Sequence, residues 1–336
     1  MIDLRSDTVT RPTPAMLTAM LAAQVGDDVM QADPTVEQLQ TRLAAQAGKE
    51  AGLFFPTGTQ SNLAGLMAHC ARGDEYIVGQ LAHTYKYEGG GAAVLGSIQP
   101  QPIEHAADGS LPLEKIRAAI KPDDFHYAKT RLLALENTFQ GKLIPADYVA
   151  RAAALAREHG LAVHLDGARV FNAAVAQGSD LKTMCESFDS VSICLSKGLG
   201  APVGSVLVGS AALIKQARRI RKMLGGGMRQ SGVLAAACLY ALDHHVERLA
   251  DDHRRAEALA AGLRQIAEIE VVYQSTNMVF VNLPPAQSKA FGAYLAEQDI
   301  QVNATYGGAT RLVTHLDLDD HAISRVIEKS AAFFTR

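Results

Sequence analysis

Two apolar runs of strand length each end in a charged residue followed by glycine: Ala162-Val163-His164-Leu165-Asp166-Gly167 and Val191-Ser192-Ile193-Cys194-Leu195-Ser196-Lys197-Gly198. Asp166 and Lys197 lie 31 positions apart, room enough for a crossover helix between two parallel strands. In an open parallel sheet, ligands bind outside the carboxyl ends of the strands, so both residues would meet in one crevice. A lysine able to form a Schiff base and an aspartate able to hold a pyridinium nitrogen are what pyridoxal phosphate requires of a protein. Desolvation at a strand end favours the neutral amine, the form that attacks a carbonyl. Small neighbours, Ser196, Gly198, Gly200 and Ala201, leave space for a cofactor. The bland alternatives are a surface lysine with a buried stem and an aspartate that caps the next helix.

Other residues fit around that pair. Arg169 would grip a substrate carboxylate with both guanidinium nitrogens, or else serve as a structural ion pair. In Phe55-Pro56-Thr57-Gly58-Thr59-Gln60-Ser61-Asn62, a strand passes through small polar residues into a helix. Free N–H groups and the positive helix end there suit a phosphate, though simple capping gives the same pattern. The chain has no Walker A motif, and no GxGxxG opens a strand–helix unit, which argues against a nucleotide fold. Gly225-Gly226-Gly227 precedes Arg229, so backbone passing close to a ligand would bring that guanidinium to a phosphate, in its own subunit or across a subunit boundary. His83, in a loop after a short strand, would stack on a cofactor ring or simply be solvated, and His126 has the same two readings. His244-His245 lacks a third ligand at useful spacing and there is no HExxH, so catalytic zinc is disfavoured.

The elements needed to hold these residues are legible. Between about 50 and 208, short apolar runs alternate with helical stretches. Strands are expected at 51–55, 75–78, 92–95, 131–135, at the Asp166 and Lys197 runs, and at 204–208. Helices are expected at 62–70 and at 146–159, the latter stopped by Gly160. That order implies a mostly parallel sheet flanked by helices. After Ser231 a long helical tract, bent near 250–252, leads into a smaller α+β region. The expected division is 1–247 for a large cofactor domain and 248–336 for a small one. Of 336 residues, 48% are hydrophobic and 20% charged, which is ordinary for a globular protein. A net charge of −3 gives no field for nucleic acid or an anionic membrane. Four cysteines without metal-ligand spacing read as buried free thiols. With no signal-like N-terminus or long apolar span, a cytoplasmic protein is expected.

The chain also resembles a known family, the low-specificity L-threonine aldolases, nearly end to end. The resemblance rests on Ile2-Asp3-Leu4-Arg5-Ser6-Asp7-Thr8-Val9-Thr10, Gly26-Asp27-Asp28-Val29 and Asp33-Pro34-Thr35-Val36. It continues through Pro56-Thr57-Gly58-Thr59, Leu135-Glu136-Asn137-Thr138, the segments around Asp166 and Lys197, Gly226-Gly227-Met228-Arg229-Gln230 and Arg311-Leu312-Val313-Thr314-His315. It implies a pyridoxal-phosphate enzyme of fold type I, the aspartate-aminotransferase-like fold, that cleaves L-threonine or L-allo-threonine to glycine and acetaldehyde. Lys197 would carry the Schiff base, Asp166 would hold the pyridinium, and His83 would stack on the ring. Gly58 and Thr59, with Ser196 beside Lys197, would border the phosphate, and a neighbouring subunit would supply Arg229. Ser6, Arg169 and Arg311 would fix the substrate carboxylate, with Arg169 also beside the cofactor. His126 would lie near the β-hydroxyl, and His83, His126 or an ordered water would be the base. The resemblance further implies a homotetramer, a dimer of dimers with active sites at the dimer interface. Two positions depart from the family: Met30-Gln31 stands where a Tyr-Gly pair is usual, and Phe139 where a His is common. The alternatives are another pyridoxal-phosphate lyase, such as a phenylserine aldolase, and a catalytically silent cofactor-binding subunit.

Overall fold

The Val-, Leu- and Phe-rich runs between 51 and 209 assemble into one seven-stranded sheet in the computed structural model, which describes residues 1–306 and 309–335. From one edge to the other the strands are Ala51–Phe55, Ser205–Gly209, Ser190–Cys194, Ala162–Gly167, Thr130–Glu136, Glu75–Gly79 and Gln99–Ile103. Only Ser205–Gly209 runs antiparallel to its neighbours. Central strands such as Ser190–Cys194 and Glu75–Gly79 are buried along their whole length. This explains why they read as continuous apolar runs rather than alternating ones: helices cover both faces. The mostly parallel sheet is as expected, and helices Val170–Gln177 and Leu181–Cys185 make the crossover between Asp166 and Lys197.

One expected strand is corrected. Residues 92–95 belong to a helical turn, Gly91–Val94, and the edge strand is Gln99–Ile103. A four-residue apolar run does not distinguish helix from strand, whereas Pro100 and Pro102 hid the real one. Gln99 donates its N–H inward to Asp74. The two prolines therefore leave their missing N–H groups on the open side, where an edge strand tolerates them. The long helical tract also breaks earlier than expected, between Gly232–His244 and Leu249–Leu263, where His245 Nδ1 lies 2.7 Å from the Leu199 carbonyl.

A second, antiparallel sheet takes the order Asn303–Tyr306, Ala309–Val313, Met278–Asn282 and Glu270–Ser275. Helix Leu249–Leu263 packs on it, and helix Asp320–Phe334 packs on that helix. The first of these joins two cores: Leu249 lies in the large-sheet cluster, and Ala256, Leu259 and Leu263 in the other. The N-terminus crosses over as well. Strand Ile2–Asp3 pairs in parallel with Ile300–Gln301, and Leu4 is buried in the C-terminal core.

Helix Gly58–His69 lies against the large sheet through Gly65, where an added Cβ would come 2.9 Å from His164 Cε1. Gly65→Ala should therefore push the helix off the strand that carries Asp166. Urea unfolding should show a loss of ~1–3 kcal/mol, the usual cost of overpacking. An unchanged midpoint would mean that this contact is slack.

Candidate active site

The carboxyl edge of the sheet gathers the charged residues. Asp166 pairs in register with Glu136 on one side and Ser192 on the other, and Lys197 follows three residues after the next strand ends. Asp166 Oδ1 accepts the Ala168 N–H at 3.0 Å in a local turn, but helix Val170–Gln177 has Arg169 at its N-cap and no side-chain cap, so Asp166 does not cap it. The other oxygen, Oδ2, is buried and has no hydrogen-bond partner among the described residues. An unpaired buried carboxylate oxygen is costly, and it is the partner a protonated ring nitrogen needs.

Asp166, Lys197 and Ser196 line one cavity of about 340 Å³ together with Gly58, Thr59, Asn62 and His83. Thr57 caps helix Gly58–His69 by accepting the Gln60 N–H at 3.1 Å. Gly58 and Thr59 thus open the helix, where backbone N–H groups have no intrahelical acceptor. An anion fits there. Space at Gly58 is limited, since a Cβ would lie 3.4 Å from Ser205 Oγ, itself buried and without a partner among the described residues.

A neighbouring cavity of about 240 Å³ shares Thr8, His83 and Lys197, and adds Ser6, Glu136, Arg169 and Arg311. Arg169 is held in bidentate fashion by the fully buried Asp7, at 2.8 Å from Nε and 2.6 Å from Nη2. The ion-pair alternative for Arg169 is therefore real, and Nη1 is left for a ligand. Burial pushes the Asp7 carboxyl up, but Arg169, with help from Lys197 and the Asn277 amide, holds it well below the usual carboxylate range. Arg311 donates to the Arg5 carbonyl at 2.8 Å.

His83 is gripped twice. Its N–H donates to Glu136 Oε2 at 2.8 Å, and its ring Nδ1 lies 2.8 Å from Glu88 Oε1. Glu88 Oε1 also accepts from Asn62, whose own oxygen lies 3.2 Å from the buried His164. The Glu88 hydrogen bond raises the His83 pKa against the opposing effect of burial. Burial and then the Asp166 charge push Glu136 up to about 7, although the His83 N–H and the Lys197 charge pull it down. Glu88, Glu136 and Asp7 had no role assigned from sequence. Glu136 stood in a quoted motif, but nothing along the chain says that its carboxylate meets His83, 53 positions away.

Two expected site residues lie elsewhere in this protomer. His126 is exposed, 2.7 Å from Asp124, with its ring tilted against that of Phe125. It precedes strand Thr130–Glu136, whose other end carries Glu136, so the strand alone sets it ~20 Å from the cavities at ~3.3 Å per residue. Arg229 is exposed and bonded to Asp27 at 3.0 Å, outside both cavities. The two departures from the family also fall outside them. Phe139 is buried and stacks on His105 with centroids 4.0 Å apart. Gln31 takes a left-handed backbone, φ +57, the conformation that glycine adopts freely.

With this geometry in place, comparisons with known proteins are decisive. The low specificity L-threonine aldolase of Escherichia coli K12 is 56% identical over 336 residues, covering all of both chains. The Saccharomyces cerevisiae protein of the same name is 41% identical over 289 residues, 85% of this chain and 75% of that one. This chain belongs to the low-specificity L-threonine aldolase family. The family model for β-eliminating lyases matches residues 3–285. In structure, the threonine aldolase of Leishmania major superposes with a TM-score of 0.86 at 22% identity, covering 99% of each chain. A serine palmitoyltransferase of Sphingomonas wittichii superposes at 0.78 with 19% identity over 98% of this chain and 86% of that one. The fold is therefore fold type I, as expected.

Asp7→Asn should lower unfolding stability at pH 7 by ~3–5 kcal/mol, because it leaves Arg169 buried without its counter-charge. Asp7 has a depressed folded pKa, so its contribution is fully present above the unfolded value near 3.8 and is lost as pH falls below it. The variant's deficit in urea titrations should shrink from pH 7 to pH 3. A deficit independent of pH would rule out this electrostatic account.

Proposed function

We propose that this protein cleaves the Cα–Cβ bond of L-threonine and L-allo-threonine, releasing glycine and acetaldehyde, with pyridoxal 5′-phosphate bound as a Schiff base on Lys197. One observation carries the cofactor reading: the unpartnered, buried Asp166 Oδ2 shares a cavity with Lys197 and a helix N-terminus. The substrate class and reaction are carried by the relatives' names and the adjoining cavity with two arginines.

The residues present fit the cofactor. Asp166 would keep the ring nitrogen protonated, and His83 would lie against the ring. Gly58, Thr59 and Ser196 would border the phosphate. When bound, the cofactor supplies a sink for the electron pair released at Cα. Arg311, Ser6 and the remaining Nη1 of Arg169 would fix the substrate carboxylate and so orient the Cα–Cβ bond. Asp7 keeps Arg169 charged and in place. The ring of His83 is oriented by its Nδ1 contact with Glu88, 2.8 Å away.

We read the working assembly as a homotetramer of paired dimers, with Arg229 acting in the neighbouring subunit's site. Support comes from the exposed apolar residues Leu17, Leu21, Val25 and Met30, in the segment whose Asp27 holds Arg229. No helix among the described residues is long and apolar enough to cross a membrane. The four cysteines are buried free thiols, which supports a cytoplasmic setting, and the proposed reaction itself gives the protein a role in threonine breakdown and glycine supply. We also divide the chain into a cofactor domain, 1–247, and a small domain, 248–336. Separate cores support this, and strand Ile2–Asp3 ties the N-terminus to the second.

Lys197→Ala should abolish both the visible absorbance of the bound cofactor and acetaldehyde release; retention of both would remove Lys197 from its role. Steady-state rates on L-threonine, L-allo-threonine and L-phenylserine separate the alternatives. Dominant benzaldehyde release would favour a phenylserine aldolase, and cofactor binding without turnover a silent subunit. Co-assembly of Lys197→Ala with Arg229→Ala chains should recover activity that neither has alone, since each mixed dimer rebuilds one complete site. No recovery would place Arg229 outside the partner's site.

A further inference from the structure

The cavity that holds Arg169 and Arg311 contains a carboxylate that no substrate-gripping or structural role uses up. We infer that Glu136 is the catalytic base that takes the substrate's β-hydroxyl proton. This rests on the proposed function and names a group within it. Glu136 lines the substrate cavity beside Lys197 and His83. Its Oε2 is fixed by the His83 N–H, while Oε1 makes no hydrogen bond to any described residue. It is not needed as a counter-ion, because Asp7 already occupies two nitrogens of Arg169.

The other titratable groups are committed or distant. Lys197 carries the cofactor. His83 has its Nδ1 on Glu88 and, in the proposed site, its ring against the cofactor. The same chain's His126 lies beyond the opposite end of the sheet. The groups facing Glu136 are Asp166 on the next strand, His83, Lys197 and Arg169. Burial and Asp166 bring its carboxyl to about 7, where a base is most effective. A protonated ring over Asp166 would weaken that push, so Glu136 should titrate lower in the loaded enzyme than in the cofactor-free chain.

The step balances. One proton moves from the β-hydroxyl to the Glu136 carboxylate as the C=O π bond of the aldehyde forms and Cα–Cβ breaks. The electron pair goes to Cα, which later takes a proton from solvent, and Glu136 returns its own proton to solvent.

The test is Glu136→Gln, which keeps an acceptor for the His83 N–H and removes only the titration. With L-threonine, kcat should fall ~10²–10⁴-fold with little change in KM, and the acid limb of the pH profile should disappear. Exchange of the glycine α-proton, which needs no hydroxyl base, should continue near the parent rate. In the cofactor-free chain, an infrared carboxyl band from labelled glutamate should titrate near 7 in the parent and be absent in the variant. Cleavage within about tenfold of the parent would overturn the assignment. So would parallel loss of glycine exchange and cleavage, which marks structural damage. If Glu136→Gln fails to bind cofactor, Glu136→Asp must keep the acid limb, and its loss also overturns the inference. A parent chain that releases no acetaldehyde but shows the infrared titration would instead sink the proposed reaction.

Discussion

Asp166, Glu136 and Glu88 place three carboxylates around one histidine, His83, at the carboxyl edge of a parallel sheet, and the surrounding structure is arranged to hold that charge. Burial and mutual repulsion raise the carboxyl pKa of both Glu88 and Glu136. The counterweights are local: the His83 ring and backbone, the Asn62 amide, and the charge of Lys197. Asp166 keeps a buried oxygen with no hydrogen-bond partner among the described residues. A site built this way is incomplete until a cation meets that oxygen, which is why the geometry points to a protonated ring.

A second constraint comes from the N-terminus. Ser6 and Thr8 reach the cavities, with Asp7 buried between them, because Ile2–Asp3 is paired with Ile300–Gln301 and Leu4 is buried in the C-terminal core. Thr10 Oγ1 then donates to the Lys197 carbonyl at 2.9 Å. Asn277, from the small sheet, donates to Asp7 at 3.3 Å, and Asp7 holds Arg169 on the large one. The substrate end of the site is thus fixed by all three parts of the chain at once. Loosening any of them would change how a carboxylate is held before it affected the cofactor end.

Much of this was legible along the chain, and the failures have physical causes. Strands buried on both faces announce themselves as apolar runs, so the Asp166 and Lys197 strands were clear, with their charged ends on one edge. The edge strand Gln99–Ile103 was not, because an edge tolerates prolines that a central strand forbids. Phe139 looked like a change near chemistry, yet it packs on His105 away from both cavities. Glu136 was visible only as part of a motif, since neither its burial nor its neighbours are local properties.

The sequence alone determined the family and singled out Asp166 and Lys197 as the proposed cofactor pair, because strand periodicity, a Lys–Asp spacing and ordered motifs are all written in local residue order. Which carboxylate lines the cavity of Arg169 and Arg311 was decided only by the tertiary structure. So were the saturation of Arg169 by Asp7 and the distance of His126 from its own chain's site. Those facts depend on contacts between residues as much as 162 positions apart, and on the charge and desolvation each group meets only when the sheets and the N-terminal segment pack together.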